Sequence, residues 1–234
     1  MGLDWNPLGK ARPAAEEEFY CRLGQLGTAN DWMQPVPFTF APIDNARQEE
    51  VRQRFFEIQI SPYETLRPPR VGYDPEADNW IRSRYEGAPN KPPTIEEWVR
   101  SFHGYWVMAL LPDSDGLPFY SNASLGGEWE RWSFRAQFLR DCEDALGERL
   151  FDEAWLNHLP DQLADYGRRL MNCASSYAET HGVAHVLNMR AYPADNQELG
   201  PVEDCPAYKA HIIASAARWA LFWSARGHGM HADY

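Results

Sequence analysis

The chain has few lysines and no basic run, and its formal net charge over 234 residues is −12. A protein that binds nucleic acid neutralises phosphates with clustered Lys and Arg, so nucleic acid is excluded as an expected partner. The same charge disfavours adsorption to anionic lipid. Long apolar runs are missing as well, and none approaches the roughly 20 residues that span a bilayer. The first residues, "MGLDWNPLGK", lack the apolar core of a secretory signal. Asn6 stands where a myristoylation signal carries Ser or Thr. A cytoplasmic protein without membrane contact is the expectation.

Cysteine is scarce, and Cys21, Cys142, Cys173 and Cys205 form no C-x-x-C pair. Neither a disulfide framework nor a zinc ribbon is expected. There is no G-x-S-x-G elbow and no H-E-x-x-H helix. "SLGGEW" (residues 124–129) places glycines before a helix but lacks the P-loop lysine, and Glu128 and Glu130 oppose a phosphate. No cofactor is expected.

Apolar and aromatic residues are abundant, at 44% and 14%, with ten tryptophans. Trp98, Trp132, Trp155, Trp219 and Trp223 fall on apolar helical stripes, so core packing explains them better than a sugar- or base-stacking surface does. A chain of this length buries roughly 70% of its unfolded surface. One domain over residues 1–234 is expected, with a weak boundary near residues 67–72.

Periodicity and caps outline the helices. The first follows Pro13, with Glu16, Glu17 and Glu18 in its opening turn, a stripe of Phe19, Leu23 and Leu26, and Gly27 as its end. A second carries Val51, Phe55 and Ile58. Residues 61–80 are rich in Pro and turn formers and read as a long surface loop, followed by a short helix through Trp80, Ile81 and Tyr85. Thr94 and Glu97 make a capping box for a helix ended by Gly104. From Glu128 onward, helices are expected over 128–147, 148–158, 160–181 and 206–226. The last is apolar around most of its circumference. Strands are expected near residues 105–121 and 183–189. The fold class is therefore α+β, mostly helical, with a small sheet packed against a C-terminal helical region.

The histidine pair in "ETHGVAHVLNMRAYP" would hold a metal only if one helix carried both rings on one face. Gly182 directly after His181 is a helix terminator, so His181 ends a helix and His185 starts the next segment. No metal site is expected there. Weaker metal candidates are His228 and His231 in the tail "RGHGMHADY". The loop "DSDGLPFYSN" gathers Asp113, Asp115, Tyr120 and Asn122 as candidate ligand-binding residues, and Arg190 is a candidate anion-binding arginine. A hydrolase-like enzyme is the alternative, with His103 or His185 working beside a carboxylate such as Asp115. A second alternative is a metal-binding protein using His228 and His231. The leading expectation is a non-catalytic interaction or small-ligand-binding domain. Its partner would be another protein or a small molecule, and the apolar face of the last helix offers a homo-oligomer interface.

Overall fold

A helix that is apolar on every side must be wrapped by the rest of its chain. Residues Pro206–Ser224 form such a helix, α9, in the computed structural model, which describes residues 2–30, 47–111, 133–189 and 205–234. Ile212, Ile213, Ala216, Ala217, Trp219, Ala220 and Trp223 are fully enclosed, and Phe222 nearly so. The apolar face that suggested an oligomer interface is thus covered by the chain itself.

The main cover is α8 (Pro160–Thr180), whose stripe is Leu163, Tyr166, Gly167, Leu170, Ala174 and Ala178. Gly167 allows the two helices to meet closely, because a β-carbon there would lie 3.0 Å from Leu221 Cγ and 3.1 Å from Ala220 Cβ. Pro160 begins α8, where its missing N–H costs nothing. At the other end Gly182 adopts φ +68°, as expected for the terminator.

The two ends of the chain close a second side of this core. Strand β1 (Asp4–Pro7) pairs antiparallel with β4 (Met230–Asp233), Trp5 opposite Ala232. Trp5 also exchanges backbone hydrogen bonds with Phe134, at 2.8 and 2.9 Å. Its side chain is fully buried against Phe134, Tyr166 and Trp219, with ring centroids 5.3, 5.8 and 5.7 Å away. Its indole Nε1 donates to the Ala154 carbonyl at 2.8 Å.

Two smaller clusters adjoin. Helices α1 (Glu16–Asn30) and α2 (Gln48–Ile58) pack through Phe19, Leu23, Leu26, Val51, Phe55 and Ile58. Beside them β2 (Lys10–Ala11) pairs with β3 (Gln59–Ile60). Helices α3 (Pro62–Leu66), α4 (Pro75–Arg84) and α5 (Ile95–Ser101) follow, the last two gathering around Val71, Ala77, Ile81 and Val107.

The mostly helical α+β class holds, and its sheets lie elsewhere than expected. Residues 183–189 do not form a strand. Val183 N–H turns back to the Ala178 carbonyl at 2.8 Å, Ala184–Val186 make a 3₁₀ turn, and Arg218 binds the Leu187 and Met189 carbonyls. Those bonds curl the backbone before an extended pairing can form. Residues 105–111 contribute a single bridge, Trp106 to Arg70, and then a 3₁₀ turn at Met108–Leu110, while residues 112–121 fall outside the described part.

The expected loop at 61–80 contains α3, because Ser61 and Glu64 cap it reciprocally around Pro62. Helix α1 runs past Gly27 to Asn30. Ala136–Cys142 is 3₁₀ rather than α, followed by short helices α6 (Glu143–Leu146) and α7 (Glu148–Glu153).

Replacing Trp5 by Ala should cost about 3–5 kcal/mol, read by urea unfolding, since it removes a buried ring and orphans the Ala154 carbonyl. Phe56→Ala, at an exposed ring, should stay within about 0.5 kcal/mol.

Candidate functional site

The turn from α7 to α8 carries a histidine absent from the sequence-based candidates. His158 exchanges backbone hydrogen bonds with Met230, at 3.0 and 2.8 Å. That bridge is possible because Gly229 lies beside it: a β-carbon there would stand 2.3 Å from the His158 carbonyl oxygen. The imidazole is only 7% exposed and stacks flat on Tyr166, with centroids 4.9 Å apart and planes 8° apart. Tyr166 is pinned by its hydroxyl, which donates to the Leu150 carbonyl at 2.9 Å, and by Trp5 at its edge.

One ring nitrogen of His158 is committed. Nε2 lies 2.9 Å from the Glu153 carbonyl, which can only accept, so Nε2 carries the proton. The neutral ring then presents Nδ1 as an acceptor, and Nδ1 takes no partner among the described residues. Nor is it sealed from solvent. Burial pushes the imidazole below its ordinary pKa, the Glu153 carbonyl and carboxylate oppose this, and Arg169 adds to it. His158 is a neutral acceptor at neutral pH.

His158 lines a groove of about 480 Å³, together with Glu153, Leu156, Asn157, Asp161, Gln162, Asp165 and Arg169. Asp161, Asp165 and Arg169 share one face of α8 at helical spacing. Arg169 grips both oxygens of Glu153 and donates through Nε to Asp165 at 2.8 Å. Those bonds hold both carboxyls below the usual carboxylate range. Gln162 Oε1 accepts from the Leu159 N–H at 2.9 Å. Asp161 has no hydrogen bond or ion pair among the described residues.

A second groove, about 630 Å³, lies between α4 and α5 and is walled by Trp80, Trp98 and Phe102, with the Arg84 guanidinium 4.6 Å over the Trp80 ring. Its polar groups turn inward, Trp98 Nε1 to the Ile81 carbonyl and Ser83 to the Trp80 carbonyl.

The expected site residues are scattered. Asp113, Asp115, Tyr120, Asn122 and Arg190 lie outside the described residues. His103 is exposed beside Tyr73, 5.3 Å between centroids, in the α4–α5 cluster. His185 is exposed on the turn that leans on α9, in a different cluster. The tail carries strand β4. His228 is fully buried, its Nδ1–H donating to the Leu8 carbonyl at 2.6 Å and its Nε2 accepting from the Thr65 hydroxyl at 2.7 Å. His231 Nδ1 donates to Asn157 Oδ1 at 2.9 Å. Among the described residues no group of three His, Cys, Asp or Glu side chains is arranged to hold a metal. Burial also raises the thiols of Cys142 and Cys173, which removes them as nucleophiles at neutral pH.

The His228 linkage has a definite sign. Burial lowers its pKa from 6.5 to about 4, so below pH 6.5 the unfolded chain takes up a proton that the folded chain refuses. Stability should therefore fall as pH drops from about 6.5 to about 4, by about 3 kcal/mol from this residue. His158, His211 and His231 are lowered too and add the same sign. Urea midpoints across that window check it: His228→Gln should start less stable and show a flatter pH slope. Gly229→Ala should cost about 1–3 kcal/mol by forcing the His158 bridge apart.

Comparison with known protein families, with curated proteins and with solved structures finds no match to this chain.

Proposed function

We propose that the protein is a small-ligand-binding domain and that its site is the α7–α8 groove. The observation that supports this reading is the open Nδ1 of His158. Nδ1 has no partner among the described residues and stays open to solvent, so an entering donor can replace the water that it meets there. The ring around it is held on all sides, by Tyr166, the Glu153 carbonyl and the Met230 bridge, and a ligand meeting it would find an acceptor already in place. The groove volume falls within the range of about 300–1,000 Å³ typical of small-molecule sites.

The hydrolase-like alternative gains a base in His158, oriented by a backbone carbonyl as catalytic histidines are. No Ser, Thr or Cys is among the groove residues named above, so hydrolysis there would use water activated by His158 or a carboxylate such as Asp161. Binding is the simpler use of the same geometry.

The test is a screen of amines, amino acids, carboxylic acids, sugars and nucleosides against ¹⁵N-labelled protein, reading the His158 ring nitrogens alongside thermal unfolding. A ligand at 100 times its dissociation constant adds about 2.7 kcal/mol of stability. At least one class should shift both readouts, and His158→Gln should abolish the thermal shift. If every class leaves the His158 nitrogens unmoved, the groove is not the binding site.

A further inference from the structure

The groove is acidic in a particular way. Three carboxylates line it against one guanidinium, within a chain of net charge −12. Two of the three, Glu153 and Asp165, are consumed by Arg169, and the exposed Arg149 and Arg168 at the rim lean on the same pair. Asp161 is left over. It stands three residues beyond His158, in the first turn of α8, and lines the groove with no ion pair or hydrogen bond among the described residues.

The site therefore holds two acceptors without a protein partner among the described residues, a neutral imidazole nitrogen and an exposed carboxylate. A ligand that completes both must carry at least two proton donors on one compact group and a positive charge. An anion would meet repulsion from Asp161 and find no donor at Nδ1. A quaternary cation would satisfy the charge and leave Nδ1 empty. A sugar or alcohol would serve Nδ1 and leave the carboxylate uncompensated. A divalent metal would want a third strong ligand, and none is arranged for it among the described residues. A primary ammonium meets each requirement, with three donors on a tetrahedral nitrogen. Leu156, 43% exposed at the groove edge, offers apolar surface to a short alkyl chain.

Resting on the binding reading above, we propose that the groove takes a primary alkylammonium, whose N–H groups bridge His158 Nδ1 and the Asp161 carboxylate. A free amine and a lysyl side chain share this chemistry. The test distinguishes the two.

The probes are n-butylamine, 1,4-diaminobutane, Nα-acetyl-lysine amide, tetramethylammonium, n-butanol, butyrate and Zn²⁺, each titrated into full-length ¹⁵N-labelled protein while the His158 ring nitrogens are followed. The amines should shift Nδ1 saturably and raise the melting temperature, with butylamine and diaminobutane tighter than the lysine derivative if the natural ligand is a free amine. Asp161→Asn, an exposed change that leaves the core intact, should weaken amine binding about tenfold or more. His158→Gln should abolish it, and because that variant also removes the ring stacked on Tyr166, Asp161→Asn carries the decision. An Nδ1 shift from butyrate, butanol, tetramethylammonium or Zn²⁺ without one from the amines overturns the ammonium assignment and leaves the groove reading standing. Unchanged amine affinity in Asp161→Asn also overturns it. Silence from every probe here and from the broader screen overturns both.

Discussion

The main core of this structure is arranged around a helix that has no face to give to water. Helix α9 is covered by α8 on one side, by the 3₁₀ segment 136–142 and the turn at 184–186 on others, and by the paired chain ends beyond Trp219. Its polar residues must then be satisfied inside. Lys209 reaches both oxygens of Asp144, at 2.6 and 2.8 Å. His211 Nδ1 donates to the Val186 carbonyl at 3.1 Å, and Arg218 binds the carbonyls of the same turn. Each bond ties a neighbouring segment to the helix, so burying α9 also fixes the chain that surrounds it.

The inner histidines follow one rule. His158, His211 and His228 each place a ring nitrogen against a backbone carbonyl, and a carbonyl can only accept. The tautomer is thereby set by the backbone rather than by solvent. What differs is the second nitrogen. That of His228 accepts from Thr65, and that of His211 faces Ser215 at 3.5 Å. Only in His158, of these three, does it open on a groove. The same packing device thus serves as a tether in two places and as a prepared acceptor in one.

The long helices were readable because their signals are local. The stripes of α2 and α8, the Thr94 cap, Pro160 and Gly182 all lie within a few residues of what they specify. The sheets were not, since strands of two to four residues carry almost no periodicity and β1 finds its partner across more than two hundred residues. Leu3, Trp5 and Pro7 do alternate inward with Asp4 and Asn6, a pattern too short to stand alone. Ser61-Pro62-Tyr63-Glu64 carried a full capping signature, masked by the prolines that follow it. Of the groove, Asp161, Asp165 and Arg169 follow helical spacing on α8, but only the apolar stripe of that helix was taken from the sequence. His158 was not legible, because its role depends on Tyr166, Gly229 and Met230, and nothing in "NHLP" announces them.

The pairing of β1 with β4 sets a condition on how the protein comes into being. A chain emerges from the ribosome from its first residue to its last, and Trp5 leaves long before Ala232 exists to lie opposite it. Until then its ring, with Phe134 and Tyr166, has an incomplete cover, and the surface that will become the centre of the core is open to other chains. The α1–α2 cluster does not include β4, whereas the core around α9 does. The core around Trp5 is therefore complete only once β4 lies against β1, and losing residues 230–233 would uncover it.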